Sequence, residues 1–322
     1  MKLPGAPSKL WGMDGSLISR LRRSVGAAAT AFLALLAPAC APTPAPELAA
    51  VVPAIPGSAL WKVADEDTTI YLFGTVHALP KDVPWMRGAI GPALAASDTL
   101  VTEVDLAAQD PAAMQKIIMK TGVLPPDENL RGLLTPEQKA EYEAALSKLG
   151  MPVESFDRFE PWYAALMFAI IPLAKAGIVG ENGVEKGLGA AAGDGKKRAA
   201  LETVEYQLSI FDSLPREAQI DYMMKTIEGS DDIKALLDAM MAEWLSGDAD
   251  GLARLMNEDM AGEQALMERL LWQRNRAWAD WVVQRLDTPG TVFVAVGAGH
   301  LAGEKSVQAD LVARGVTVSR VQ

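Results

Sequence analysis

Cysteine and histidine are the scarcest reactive residues in this chain of 322 residues. It contains one cysteine, Cys40, and two histidines, His77 and His300. A disulfide within one molecule is therefore excluded, and so is a cysteine nucleophile anywhere after residue 40. Chemistry that requires an imidazole has to use one or both of these histidines.

Several common catalytic motifs are also missing. The chain has no Gly-x-Ser-x-Gly elbow and no His-Glu-x-x-His helix, which argues against the usual serine hydrolases and zinc proteases. The turn Gly193–Lys197 lacks the glycine spacing and the final Ser or Thr of a phosphate-binding loop. The two histidines therefore carry the strongest chemical signal in the sequence.

Acidic residues outnumber basic ones by 41 to 30, so the chain has a formal net charge of −11. Residues 1–40 contain five basic residues and one acidic residue, and their removal would make the net charge −15. Such a charge repels nucleic acids and anionic lipid surfaces. We therefore expect no nucleic-acid partner. A peptide or small molecule as substrate, and the oligomeric state, are left open by the composition.

Residues 1–40 have the pattern of a secretion signal. A cationic segment, Arg20–Arg23, precedes the apolar segment Val25–Leu36, and Ala37–Ala39 supplies the small residues of a cleavage site. The apolar segment is short and rich in alanine, which favours a cleaved signal over a membrane span. We expect an exported protein whose translation starts at Met1 or Met13.

Cys40 follows this cleavage pattern directly. It resembles the lipid-accepting cysteine of bacterial lipoproteins, although Ala37 stands where leucine is usual. Cleavage by the ordinary signal peptidase explains the same residues. Two predictions therefore remain, a soluble periplasmic protein and a lipoprotein that is tethered to the membrane through Cys40. Residues 41–57 are rich in Pro and Ala and predict an extended tether.

Residues 58–322 predict one α/β domain. Strand-helix-strand patterns occur at both ends, the first from Thr68 to Asp105 and the second from Thr291 to Val321. Helical patterns lie between them, and the uncharged segment Trp162–Leu173 favours a buried core helix. We therefore expect a mixed sheet built from two similar strand-helix-strand halves, with a helical insert between the halves.

Both histidines follow a predicted buried strand in the same local pattern, an apolar run and then Gly-x-x-His. The first pattern runs from Gly74 to His77 and the second from Gly297 to His300. Strand ends of this kind form the ligand site in α/β proteins. The pair predicts one shared site in which Gly74 and Gly297 contact the substrate or support the histidines; the alternative is that each histidine caps its own turn.

A metal ion bound by two imidazoles usually needs a carboxylate as well. Glu103 is our candidate, because it lies in the predicted apolar strand Thr99–Val104 and a buried carboxylate is costly without a partner. Asp105 would share its face if the strand continues, and Asp105 or Glu202 would accept a proton during catalysis. The structural alternatives are an edge carboxylate at Glu103 and a loop cap at Asp105.

Arg274 and Asn275 lie in a predicted helix that is rich in tryptophan. We predict that they contact the substrate or support the ligands, although Arg274 and Glu202 could equally form ordinary helix salt bridges. The tryptophans themselves favour core packing over a binding surface.

These motifs together resemble those of the TraB/GumN family, which is related to the Tiki membrane proteases. The likeness covers about Leu60 to Val321, and its motifs are GTVHALP at 74–80, VTEVD at 101–105, LET at 201–203, Arg274-Asn275 and VGAGHLAG at 296–303. The resemblance implies an α/β fold of the erythromycin-esterase and ChaN-like kind. For the Tiki branch it implies a metal-dependent protease, whose two histidines and glutamate match His77, His300 and Glu103.

We therefore expect an exported hydrolase that depends on a divalent metal ion and acts on a peptide. The ion, which the sequence leaves open among Mn, Co, Zn and Fe, would polarise the scissile carbonyl and lower the pKa of its bound water. Two alternatives remain open. One is a non-catalytic envelope protein that binds a ligand such as haem, and the other is an accessory factor in polysaccharide export, which only the family name suggests.

The export prediction is tested by mass spectrometry of the mature N-terminal peptide. We expect Cys40 as the first residue, because both cleavage schemes cut after Ala39. A diacylglyceryl mass on Cys40 identifies the lipoprotein, and a bare Cys40 identifies a soluble periplasmic protein. An intact Met1 or Met13 terminus in the cytoplasmic fraction contradicts export.

Overall fold

The structure is a computed structural model and describes residues 57–105, 111–259 and 264–322. The predicted signal peptide, Cys40 with its two alternative predictions, and the predicted tether as far as residue 56 lie outside these residues. Everything from the first predicted strand to the last is described except for two short segments.

A six-stranded sheet forms the centre of the fold. Its strands are β1 (Leu60–Ala64), β2 (Thr68–Thr75), β3 (Thr99–Thr102), β4 (Lys197–Ala200), β5 (Gly290–Gly297) and β6 (Val318–Arg320). They lie in the order β4-β3-β5-β2-β1-β6. Neighbours among β4, β3, β5 and β2 are parallel, whereas β1 is antiparallel to both β2 and β6. The predicted α/β fold with a mixed sheet is confirmed.

Helices cover the sheet and form the insert between its two ends. They are α1 (Ile90–Ala96), α2 (Pro111–Thr121), α3 (Pro136–Lys148), α4 (Pro161–Lys175), α5 (Val184–Ala192), α6 (Val204–Asp212), α7 (Arg216–Gly229), α8 (Ile233–Ser246), α9 (Ala249–Asp259), α10 (Gln264–Met267), α11 (Gln273–Leu286) and α12 (Val307–Ala313). Both terminal units run strand-helix-strand. In the first unit one other strand of the sheet lies between the two strands, whereas in the second unit two other strands lie between them. That the two units are similar halves of the fold therefore stays a prediction.

Apolar residues of β5 alternate between two cores. Phe293 packs with the helical insert, whereas Val292 and Val294 pack with α11 and α12 on the other face. This alternation follows from the two-residue period of a strand. Both faces of the sheet are therefore buried, as is usual where the strands are parallel.

The aromatic residues of the helical insert belong to the same core as Phe293, and Trp162 of α4 is fully buried in it. This confirms the prediction of a core helix at Trp162–Leu173. None of the helices in the described parts of the chain has both the length and the apolar character needed to cross a bilayer. At the start of α3, the Thr135 and Gln138 side chains cap each other's backbone N–H groups, which is the capping-box pattern of Thr and Gln three residues apart.

Two elements differ from the sequence prediction near the site. Strand β3 ends at Thr102 instead of continuing to Asp105, and just after it the Thr102 hydroxyl donates a hydrogen bond to the Val104 carbonyl. The predicted helix Gln264–Leu286 contains a π-helical segment, Glu268–Trp272, between α10 and α11. Inserts of this kind often lie at functional sites.

The carboxyl ends of the four parallel strands lie along one edge of the sheet. Strands β2 and β5 are paired in register up to Thr75 and Gly297, so their two Gly-x-x-His loops leave the sheet side by side. A Cβ on Gly74 would lie only 3.0 Å from the Ala298 Cα, so glycine lets the two loops approach each other. The sheet thereby brings the predicted site residues to one edge.

Candidate active site

Four neighbouring strand ends each contribute a polar side chain to the same edge of the sheet. His77 follows β2, His300 follows β5, Glu103 follows β3 and Glu202 follows β4. Arg274 approaches from α11 and contacts three of these four side chains. Residues from distant parts of the sequence therefore form one cluster.

Gly297 marks the centre of this cluster. A Cβ on Gly297 would lie 3.1 Å from Glu103 Oε1, 3.5 Å from His77 Nε2 and 3.6 Å from His300 Cδ2. These three atoms thus surround one point, and the first two distances limit the separation of Glu103 Oε1 and His77 Nε2 to 6.6 Å. The absence of a side chain at 297 keeps this point open.

Glu185 of α5 orients the His77 ring. Its Oε1 lies 2.6 Å from His77 Nδ1 and also accepts a hydrogen bond from the Thr75 hydroxyl. Burial by itself would lower the pKa of His77, but the Glu185 carboxylate outweighs burial and raises this pKa to about 9. His77 is therefore an imidazolium at neutral pH, and its Nε2 faces the point beside Gly297.

Arg274 uses all five N–H donors of its guanidinium inside the protein. Nε donates to Glu202, and Nη2 donates to Glu103 Oε2 at 2.6 Å and to Glu202 Oε2 at 2.8 Å. Nη1 donates to the Leu270 carbonyl at 2.8 Å, in the π-helical segment, and lies 3.1 Å from His300 Nε2. The guanidinium thereby links three strand-end loops to α11.

The contacts of His300 define its tautomer. A guanidinium has only donors, so Arg274 Nη1 donates to His300 Nε2, and Nδ1 carries the proton that is donated to Asn275 Oδ1 at 2.5 Å. Asn275 Nδ2 in turn donates to the Lys305 carbonyl. Burial and the Arg274 cation hold the pKa of His300 well below its usual value. His300 is thus a neutral, buried imidazole with both nitrogens engaged.

Glu103 remains ionised although it is buried. Burial would raise the pKa of its carboxyl, but the charge of Arg274 and the Gly297 N–H, which donates to Oε1 at 2.6 Å, lower it well below its usual value. Gln207 also donates to Oε2 at 2.8 Å. The Oε1 side of this carboxylate faces the point beside Gly297.

Glu202 contacts the side chains that surround this point. It is bonded to Arg274, to the Trp278 indole at 2.9 Å and to Gln207 at 3.0 Å. The Trp278 ring also packs against His300, with ring centroids 4.2 Å apart. Glu202 and Arg274 thus form a salt bridge, and it is a buried one that supports the site.

Asp105 is not brought into the cluster through strand geometry. Because β3 ends at Thr102, the alternation that would put Asp105 on the face of Glu103 does not apply, and its side chain is exposed. Three supporting residues, Glu185, Gln207 and Trp278, were not predicted as site residues. Nothing in the local sequence marks Gln207 or Glu185; Gln207 is in α6 five positions after Glu202, which precedes the N-cap of that helix, so the i, i+3 and i, i+4 spacings of a helix do not link them.

The predicted metal ligands are close together, with His300 Nε2 3.8 Å from Glu103 Oε1. The lone pair of His300 Nε2 that a metal ion would need accepts a hydrogen bond from Arg274 Nη1, and Arg274 Nη2 donates to Glu103 Oε2. Among the residues that the structure describes, no three His, Cys, Asp or Glu side chains are arranged to hold a metal ion. A site formed by His77, Glu103 and His300 stays a prediction that would require Arg274 to move.

The two histidines should titrate very differently, and proton NMR can follow both because the chain has no others. We expect a His77 pKa near 9 and no titration of His300 across the neutral range. Since the folded pKa of His77 lies above 6.5, its pairing with Glu185 stabilises the fold below that pH and loses this effect as the pH rises through about 9.

Glu185→Gln should lower the pKa of His77, because it removes the main favourable charge, and His300→Ala assigns the two signals. A wild-type His77 signal that titrates near the ordinary histidine value would contradict the Glu185 contact.

Comparisons with known proteins identify the family of this chain. The sequence profile of the TraB/PrgY/gumN family matches residues 59–320. A protein of Treponema pallidum (strain Nichols) described as "Uncharacterized protein" is 24% identical over 262 residues, which cover 77% of this chain and 78% of the relative. No solved structure matches the chain. The family match spans the whole sheet and every residue of the site, and the chain belongs to the TraB/PrgY/gumN family.

Proposed function

We propose that this protein is an exported hydrolase that cleaves a peptide or a related acyl bond at the point beside Gly297. One observation carries the proposal: an ionised carboxylate, Glu103, and an imidazolium, His77, each have an atom within 3.5 Å of that point. Paired groups whose environments push their pKa values apart are the usual signature of a general base and a general acid. The site also lies at the carboxyl ends of parallel strands, where α/β enzymes bind ligands.

The geometry supports a direct hydrolytic step. Glu103 Oε1 takes a proton from a water molecule, whose oxygen then bonds to the substrate carbonyl carbon. When the carbon–nitrogen or carbon–oxygen bond breaks, His77 Nε2 donates its proton to the leaving group. Glu103 then releases its proton to solvent and His77 takes one from solvent, which returns both groups to their starting states.

The surroundings of the site favour a substrate with an apolar group. A narrow cavity next to the two histidine loops is lined by uncharged residues, which are Val76, Ala78, Pro80, Ile178, Leu237, Met240, Met241, Trp244, Leu252 and Ala298. Methionine side chains adapt to ligands of different shape. His77, with 26% of its side chain exposed, is the most accessible part of the site, whereas Glu103 and His300 are buried.

Two parts of the proposal are predictions, namely that the protein is exported and that the hydrolysis requires a metal ion. The cationic and apolar pattern of residues 20–39 supports export. The resemblance to the Tiki proteases is the support for a metal-dependent form of the same hydrolysis. Assays of the purified mature protein with chelator, and with added Mn²⁺, Co²⁺ or Zn²⁺, separate the two forms.

Glu103→Gln should reduce hydrolysis of a peptide and ester library by roughly 10²–10⁴-fold, as is typical when a general base is lost. Asp105→Asn is the matched control, since it changes a nearby exposed carboxylate in the same way, and we expect activity close to wild type. Steady-state kinetics give the measurement, and thermal melts show whether each variant is folded.

His77→Gln provides a second variant in case the loss of the Glu103 charge destabilises the buried cluster. Equal activity in the wild type and in folded variants of both residues would contradict the proposed roles. Binding of library members without any turnover by the wild type would favour the alternative of a non-catalytic binding protein.

Gly297→Ala should abolish activity while leaving the fold intact. Its backbone φ of −49° is open to any residue, but the added methyl group would occupy the point between Glu103 and His77. Gly91→Ala is the control, because its added Cβ would lie within 4 Å of nothing beyond its chain neighbours and the backbone of its own helix. Full activity in folded Gly297→Ala would mean that the reaction takes place elsewhere.

A further inference from the structure

We propose that Arg274 closes this site to divalent metal ions, so that its fixed positive charge takes the place that a metal would have between His300 and Glu103. The inference rests on the site of the proposed function and deepens it, because it identifies the chemistry as metal-free. Its test uses metal binding instead of turnover, so the two proposals can fail separately.

The position of the guanidinium carries the argument. Arg274 Nη1 lies 3.1 Å from His300 Nε2, and Nη2 lies 2.6 Å from Glu103 Oε2. An ion bound to both residues would lie roughly 2 Å from each donor atom, and therefore beside a cation that cannot be deprotonated. The lone pair of His300 that a metal would need already accepts a hydrogen bond.

Arg274 is also held firmly in this position. Its side chain is only 7% exposed, and its hydrogen bonds to Glu202 and to the Leu270 carbonyl fix the other side of the guanidinium. Swinging out of the site would leave Glu103 and Glu202 buried without their cation. Removing one partner from a buried ion cluster is strongly unfavourable, so a metal ion would have to outweigh that loss before it could bind.

The neighbouring contacts match this role. The single charge of Arg274 is shared by the carboxylates of Glu103 and Glu202. Asn275 Oδ1 accepts a hydrogen bond from the Nδ1–H of His300, so the unprotonated Nε2 is the nitrogen that faces Arg274. In metal sites the same orientation presents that nitrogen to the ion; here it is presented to the guanidinium.

Titration with Co²⁺, followed by its visible absorption, tests the inference on the purified mature protein. We expect no Co²⁺ binding that depends on His300 in the wild type. In Arg274→Met the cation is lost but an apolar chain of similar length remains, and Co²⁺ binding should become tighter by about 10–100-fold, the range typical of changes next to metal ligands. Adding His300→Ala to that variant should remove the gain.

Arg276→Met is the matched control, because Arg276 lies on the same helix and pairs with Glu268 at the exposed surface. It should bind Co²⁺ no better than the wild type. Wild-type binding that is lost in His300→Ala would overturn the inference, and this arm decides the question even if Arg274→Met does not fold. Folded Arg274→Met that gains no Co²⁺ binding would also overturn it, since charge would then not be what closes the site.

Discussion

The guanidinium of Arg274 is the contact on which the site depends. It is hydrogen-bonded to one side chain from each of the loops that follow β3, β4 and β5, namely Glu103, Glu202 and His300. A buried carboxylate is costly unless it is paired and hydrogen-bonded, so the guanidinium stabilises the loops of Glu103 and Glu202 in their observed positions. The π-helical segment before α11 contributes the Leu270 carbonyl that holds the other side of the same group.

This dependence separates the roles of the two histidines, although their local sequences are alike. His300 lies next to Arg274 and is kept neutral, with its nitrogens bonded to Arg274 and Asn275. His77 lies next to Glu185 and is kept charged. Two equivalent loops thus become a buried support and an accessible acid, because their closest ionic partners have opposite charge.

Much of the fold is readable from periodicity and from end signals. The β1–β2 hairpin, the capped helix α3 and the uncharged core helix α4 follow from alternation, capping residues and apolar content, all of which are local properties. The end of β3 was predicted wrongly. Its last residues have strand composition, but the structure ends the strand at Thr102, whose hydroxyl bonds to the Val104 carbonyl, while Glu103 pairs with the Gly297 N–H, 194 positions away in the sequence.

The sequence by itself determined the family, the α/β class and the strand-end residues of the cluster, which are His77, Glu103, Glu202 and His300. Glycine, histidine and carboxylate positions at strand ends are local, and parallel strands bring their carboxyl ends to one edge whatever the intervening helices do. Only the tertiary structure decided the partners. Glu185 comes from a helix with no marking pattern, and Arg274 lies between His300 and Glu103 because α11 packs across the strand ends. Protonation and metal access depend on which charges lie within a few ångströms, and that proximity is a property of the packed chain that no local pattern specifies.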